Sequence, residues 1–354
     1  PDFVDVPEPS GPGEGETLCR TLQLGVCGTD REILAAAQPW RPEEEDFLIL
    51  GHECLARVEA VGAGASGIQV GDLVVPTVRR GFADAVHRVD MQAFGEYTER
   101  GIVRHHGFST PYWTEDPRHL FRIDPALADV AVLTEPLAVA EKAANEALLL
   151  QSARLGEDFW KTSPPRTLIT GMGPIAFAGV LACRARGWPV TMLGRDAPDT
   201  FRARTAVALG ADYLRLADAD WEPNDVEADG FDLILECTGN DALTVEITGG
   251  LASRGVVVWL GAARIPTPGE HNVARMMRNG LLRNHIHLGC VNAAPRDFED
   301  ALSHLAEYHR SHPQELQSLI TARISPDDAL WHFEHRQPQG IKVVLMYEDF
   351  SPAG

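Results

Sequence analysis

The chain has no C-x-x-C pair, no long apolar run and a marked shortage of basic residues. Each absence excludes something. Its six cysteines, Cys19, Cys27, Cys54, Cys183, Cys237 and Cys290, are scattered, so neither a disulfide framework nor a thiolate-only zinc site fits, and a reducing cytoplasm suits them. No stretch approaches the roughly 18 apolar residues of a membrane span, and Gly255–Gly261 is far too short. Lysine and arginine number 31 against 51 acidic residues, a net charge of -20, which argues against gripping nucleic acid because phosphate is repelled. No secretory leader is visible, and Pro1–Pro9 reads as the middle of an opening strand and turn, so further residues are expected before it. Hydrophobic content of 44% and charged content of 23% are ordinary globular values, and 354 residues are comfortable for two domains.

What is present is concentrated in three places. Gly25-Val-Cys-Gly-Thr-Asp30 and Gly51-His-Glu53 supply a thiol, an imidazole and a carboxylate, and Thr134-Glu-Pro-Leu-Ala138 adds a third acidic candidate. Zinc prefers these donors, and a catalytic zinc keeps three protein ligands and one open position. The third place is Gly171-Met-Gly-Pro-Ile-Ala176, which follows the strand-like Thr167–Thr170 and opens a helical stretch through Arg186. There the first glycine permits the turn, the second lets backbone approach a pyrophosphate, and free N–H groups at the helix start meet the negative phosphates. In this order the motifs read as a zinc-dependent nicotinamide dehydrogenase.

The period of the pattern changes along the chain. Glu16–Leu24, Cys54–Val61 and Val70–Val75 read as strands with glycine punctuation, a partly closed β domain. Residues 77–120 read as an irregular lobe, and Glu135–Leu150 as a helix. Strands at Thr167–Thr170, Val190–Leu193, Phe231–Leu235 and Gly255–Leu260 then alternate with helical stretches, which means a doubly wound parallel sheet. A helix from about Asp297 and a strand Lys342–Met346 close the chain. The expected division is a catalytic domain over 1–148, to which 297–354 return, and a dinucleotide-binding domain over 149–296.

The chain resembles the zinc-containing medium-chain alcohol dehydrogenase superfamily over essentially its whole length, and more narrowly its glucose dehydrogenase branch. The residues that carry this are Gly25–Ile33, Leu50–Glu53, Glu99–Ile102, His106–Phe108, Thr134–Lys142 and Cys290–Asn292. The resemblance implies a GroES-like β-rich catalytic domain beside a Rossmann domain. It implies Cys27 and His52 as zinc ligands, Glu53 as a carboxylate able to approach the metal, and Glu135 as the carboxylate replacing a third thiolate. Asp30 would orient His52, and Thr29 would hand on the substrate hydroxyl's proton. Glu99, Asn292, Thr29 and Glu135 would face the substrate. The structural-zinc lobe common in the superfamily needs four close cysteines, and residues 76–108 hold none, so one zinc is expected. His87, His105 and His106 are expected to be solvated or hydrogen-bonded.

On the nucleotide side Gly171, Gly173, Pro174, Ile175 and Ala176 would line the pyrophosphate, and Thr238, Leu260 and Asn292 the nicotinamide end. Cofactor choice rests on Gly194 and Arg195 at the end of the second strand, where an acidic side chain would mark NAD. A guanidinium there favours a 2′-phosphate, so NADP is favoured, while Asp196 next to it leaves NAD open. The expectation is a cytoplasmic homo-oligomer, engaging neither nucleic acid nor membrane, that oxidises an aldose, D-glucose at C1 above others, to its lactone. Another polyol or secondary-alcohol dehydrogenase is the alternative, and a non-catalytic nucleotide-binding relative is a more distant one.

Overall fold

Strand β1 (Thr17–Val26) is buried along nearly its whole length, and the N-terminal sheet is built around it. A computed structural model describes residues 1–36, 40–82, 88–219, 230–262 and 272–348. The chain forms two compact units, Pro1–Ala138 with Asn292–Gly354, and Val139–Val291.

In the first unit β1 is followed by β2 (Glu53–Val61), β3 (Leu73–Pro76), β4 (Arg79–Gly81), β5 (Tyr97–Arg100), β6 (Arg104–His105), β7 (Tyr112–Glu115) and β8 (Leu120–Arg122). β1 pairs antiparallel with β2 and β7, and β2 continues through β3 to β8. Cys19, Leu24, Cys54, Val74, Phe108 and Trp113 form part of the core beneath this sheet. Residues before Thr17 form no strand, contrary to the expectation for Pro1–Pro9. With two glycines and four prolines among its first thirteen residues, that segment has little to offer a ladder.

The lobe expected to be irregular over 77–120 instead contains β4–β7, with β4, β5 and β6 forming a small separate sheet. Hydrophobic periodicity could not reveal them, because apart from Trp113 their buried side chains are mostly charged. Arg80 donates to Glu115 Oε2 at 2.6 Å and Arg100 to the same oxygen at 2.9 Å. Arg100 also donates to the Thr114 carbonyl at 2.6 Å. Burial pushes the Glu115 carboxyl up, but the two guanidinium groups outweigh it and hold it at about 2.

The second unit is a six-stranded parallel sheet of β9 (Thr167–Thr170), β10 (Val190–Gly194), β11 (Asp212–Arg215), β12 (Phe231–Glu236), β13 (Leu251–Trp259) and β14 (Ile286–Gly289). Their spatial order is β11-β10-β9-β12-β13-β14. Counted from β9 this is 3-2-1-4-5-6, the doubly wound Rossmann order, which reverses between β9 and β12 and opens a ligand crevice at their carboxyl ends. The strands read as continuous apolar runs, Leu168, Ile169, Leu233, Ile234 and Leu235 being fully buried, as expected where both faces are covered.

After Asn292 the chain rejoins the first unit. β15 (Ile320–Ile324) pairs parallel with β16 (Lys342–Met346), and β16 pairs antiparallel with β1 through Gln23–Val26. No helix among the described residues is long and apolar enough to cross a membrane.

Removing Glu115 leaves two guanidinium groups buried together, so Glu115→Gln is expected to cost roughly 3–5 kcal/mol at neutral pH. The sign of the acid dependence follows from the depressed carboxyl. Its stabilisation is complete above its ordinary value of 4.5 and is lost as pH falls towards about 2. Urea unfolding between neutrality and pH 2 should show a shallower acid limb in Glu115→Gln than in the parent; parallel limbs would remove Glu115 as the cause.

Candidate active site

Cys27 follows β1 and caps the helix Gly28–Ala35, its backbone N–H donating to Asp30 Oδ2 at 2.8 Å. The other Asp30 oxygen faces His52 Nδ1 at 3.4 Å. Neither of those two atoms has a hydrogen-bond partner, so Asp30, itself fully buried, serves both loops. With Asp30 facing Nδ1, Nε2 of His52 is the ring nitrogen left for a metal. Burial pushes the His52 imidazole down, but Cys27 and Asp30 raise it by more, and it stands well above its ordinary value. Thr29 lies half-buried in the first turn of the helix.

The loop carrying His52 is fixed from the segment 99–108. Gly107 N–H donates to the Ile49 carbonyl at 2.8 Å, Phe108 N–H to Gly51 at 2.9 Å and Ser109 N–H to Leu50 at 3.0 Å. A Cβ at Gly107 would lie 2.3 Å from the Gly51 carbonyl oxygen, so only glycine permits this approach. The Gly107 motif that suggested a sugar enzyme therefore has a local mechanical role as well.

Glu53 begins β2 directly opposite Gly25 of β1. A Cβ at Gly25 would stand 2.2 Å from Glu53 Oε2, so the missing side chain is the space this carboxylate occupies. Glu53 Oε2 accepts from Lys342 Nζ, which also donates to the Val26 carbonyl at 3.3 Å. The second oxygen, Oε1, is buried and has no partner. Ligand atoms of Cys27, His52 and Glu53 lie within 4.8 Å of one another, the one such cluster found among the described residues. A carboxylate with one orphaned oxygen, gathered with a thiol and an imidazole, fits a bound cation.

Glu135 opens the helix Thr134–Leu155 and is buried, but it lies outside that cluster. Burial pushes its carboxyl up to about 7, with Glu53 and Asp30 adding to the rise and His52 and Lys342 opposing it. His105 and His106 are hydrogen-bonded, to Thr98 and to Glu45 respectively, and His87 lies outside the described residues.

In the second unit Gly171 follows β9 with φ 99° and Gly173 caps the helix Pro174–Ala185, with Pro174 at its first position and Ile175 and Ala176 behind it. At the end of β12, Glu236 is fully buried and gathers the next turn around its carboxylate. Thr170 Oγ1 donates to it at 3.1 Å, Thr238 N–H at 2.8 Å and Gly239 N–H at 3.1 Å, and Thr238 Oγ1 donates as well. Leu260 N–H donates to the Glu236 carbonyl at 2.8 Å. One residue thus holds Thr238 and Leu260 at the sheet's carboxyl edge. Arg195 is exposed past Gly194, and β11 brings Arg215 into register with Gly194.

The family model for the glucose dehydrogenase C-terminus matches residues 128–347, and that for the alcohol dehydrogenase GroES-like domain matches residues 13–124. The chain belongs to the glucose dehydrogenase branch of the zinc-containing medium-chain alcohol dehydrogenases. Among its relatives, glucose 1-dehydrogenase of Thermoproteus tenax is 40% identical, covering 97% of this chain and 95% of that protein. The enzyme of the same name from Methanocella arvoryzae is 33% identical over 91% of this chain and 89% of that protein. A solved structure of Haloferax mediterranei glucose dehydrogenase in complex with NADP, Zn and gluconolactone superposes with a TM-score of 0.84 at 28% identity, covering 98% of this chain and 95% of that one.

In this member of the glucose dehydrogenase branch the structure also joins Glu99 to Asn292. Asn292, at φ 61°, donates from Nδ2 to Glu99 Oε1 at 2.9 Å and accepts the Ala293 N–H at 2.8 Å. Arg79 donates to the same Glu99 oxygen at 2.9 and 3.0 Å and lies 3.7 Å from the Tyr97 ring centroid. Arg79, Lys342 and Glu236 escaped the sequence reading. A lysine heading the otherwise apolar Lys342–Met346, and an acid ending the apolar run Leu233–Leu235, were the available signals.

Glu236→Ala should leave the Thr238 and Gly239 N–H groups without partners and cost about 2–4 kcal/mol. Urea unfolding of the full chain checks this, and a loss under roughly 0.5 kcal/mol would mean that the turn is held by other contacts.

Proposed function

We propose that this chain is a zinc-dependent, NAD(P)-linked dehydrogenase that oxidises an aldose, D-glucose at C1, to the lactone, with NADP preferred over NAD. The observation that carries the reading is the gathering of Cys27, His52 and Glu53, a carboxylate with one unpartnered oxygen. Its kinship to glucose 1-dehydrogenases supports the substrate class. The unit containing β1 would carry catalysis and the parallel-sheet unit the nucleotide; as functional domains, 1–148 with 297–354 would serve the first role and 149–296 the second.

Cys27 and His52 would hold one zinc, Glu53 would approach it through Oε1, and Glu135 would face it from the helix start. When bound, zinc supplies the Lewis acid that makes a sugar hydroxyl more acidic, and nicotinamide supplies the hydride acceptor. The chain's own part is positional. Asp30 aims His52, Lys342 restrains one oxygen of Glu53, and Thr29 at the helix start relays the hydroxyl proton outward. Glu99, its Oε1 already occupied by Arg79 and Asn292, would accept a sugar hydroxyl through Oε2, which fixes the sugar's orientation. Gly171, Gly173, Pro174, Ile175 and Ala176 would take the pyrophosphate, Thr238, Leu260 and Asn292 the nicotinamide end, and Gly194 with Arg195 the adenosine ribose.

The proposed setting is the cytoplasm, in keeping with six cysteines that are all free. A homo-oligomer is the proposed assembly, because the helix Val273–Arg283 exposes Val273, Met277 and Leu281 one turn apart beside the edge strand β14. A panel of aldoses, polyols and simple alcohols with both cofactors tests the function. Highest catalytic efficiency on a polyol or simple alcohol would overturn the aldose assignment.

Elemental analysis of the purified protein should find one zinc per chain, and two tightly held zincs would contradict the site described. Cys27→Ala or His52→Ala should lose turnover by orders of magnitude with the far-ultraviolet spectrum unchanged. Glu135→Ala should lower turnover by about ten- to a hundredfold while moving the NADP dissociation constant less than about twofold. A loss of NADP affinity with turnover intact would place Glu135 elsewhere.

A further inference from the structure

Two neighbours at the end of β10 carry opposite charges, and the structure treats them differently. Arg195 is exposed. Asp196 is about nine-tenths buried and locked in a fork with Arg202, the second residue of the helix Phe201–Ala208. Arg202 Nε donates to Asp196 Oδ2 at 2.8 Å and Nη2 to Oδ1 at 2.8 Å, so each carboxylate oxygen receives its own donor. The Asp196 carbonyl accepts from Tyr213 of β11 at 2.8 Å, which holds the backbone of the turn. Arg204, on the same helix, is engaged with the Asp199 carbonyl at 2.7 Å.

An acidic side chain at this strand end normally serves NAD, accepting the hydroxyls of the adenosine ribose and repelling a 2′-phosphate. In this chain the acid is present one residue late, beside the guanidinium that would hold that phosphate. Its effect depends on whether its charge is available. A bidentate fork offsets the carboxylate's charge, gives each of its oxygens a donor, and fixes the side chain against the helix.

We infer that Arg202 is a positioning residue for cofactor choice. By holding Asp196 in the fork it withdraws the acid from the ribose and leaves Arg195 as the local charge felt by a 2′-phosphate. The inference rests on the reading of Arg195 as the phosphate-binding residue. It goes further by assigning the preference to a residue whose guanidinium faces Asp196 and by giving Asp196 a latent role as the group that would favour NAD. Evolution or engineering of the preference would therefore work through position 202 as readily as through position 195.

The test measures binding of 2′,5′-ADP and 5′-AMP to the full-chain zinc enzyme by calorimetry, so no turnover is needed. Arg202→Gln unmasks Asp196 and should lower the preference for 2′,5′-ADP about tenfold or more. Adding Asp196→Asn to Arg202→Gln should return the preference to within roughly threefold of the parent, because the unmasked charge is then gone. A merely structural pair would not show this rescue. An unchanged preference in Arg202→Gln overturns the inference. So does a double variant as impaired as Arg202→Gln, since Arg202 would then bind the phosphate itself. Should Arg202→Gln fail to fold, Asp196→Asn alone decides: 5′-AMP affinity should stay within about twofold, and a tenfold loss would show Asp196 already serving the ribose. Arg195→Ala in the same assay keeps the two readings apart. If it leaves the preference unchanged, the phosphate assignment of Arg195 fails, whatever the Arg202 variants do.

Discussion

The Glu53–Lys342 pair is the contact on which the candidate metal site depends. Both side chains are fully buried, and they stand 289 residues apart in the chain. Burying two charges is costly, and the cost is offset only when the partners meet with good geometry and further hydrogen bonds. Here Lys342 adds the Val26 carbonyl, and the missing Cβ of Gly25 makes room for the carboxylate. The returning strand β16 thus supplies the cation that fixes one oxygen of Glu53 and leaves the other without a partner, in a residue gathered with Cys27 and His52. Closure of the sheet and assembly of the site are one event.

The same economy of charge recurs through an acidic chain. Glu99 faces Arg79, Glu115 faces Arg80 and Arg100, Asp196 faces Arg202, and Glu141 faces Arg186. Each of these buried acids is held by guanidinium, whose planar fork satisfies two lone pairs at once. Glu135 stands apart. It has carboxylates and cations around it without a paired guanidinium, and its carboxyl rises to about 7. A buried acid left in that condition marks a functional position more often than a structural one. Glu236 represents a third solution, an acid satisfied by Thr170, Thr238 and Gly239, with the turn itself as its partner.

Much of this was readable in advance, and the boundary is instructive. The parallel sheet was legible because Leu168, Ile234 and Val257 sit in short apolar runs between glycine turns, a local pattern. Gly171 and Gly173 were legible because the backbone conformation they allow is local too. Cys27, His52 and Glu53 stood out through their donor chemistry and the motifs around them. The strands within 77–120 were hidden, since their buried faces are Arg79, Arg80, Glu99, Arg100 and Glu115, residues that periodicity counts as solvent-facing.

Read alone, then, the chain specified the alternation of strands and helices that makes the parallel sheet, the nucleotide loop, candidate donors for a metal and the family to which these belong. All of these are carried by residues close in sequence or by motifs whose meaning travels with them. Only the tertiary structure decided which acid each buried cation would meet. Lys342 reaches Glu53, Arg79 reaches Glu99 with Asn292, and Arg202 reaches Asp196 because strand order and helix placement bring them within hydrogen-bond distance. An ion pair forms across space, and nothing in the spacing of its two residues along the chain records that they will be neighbours.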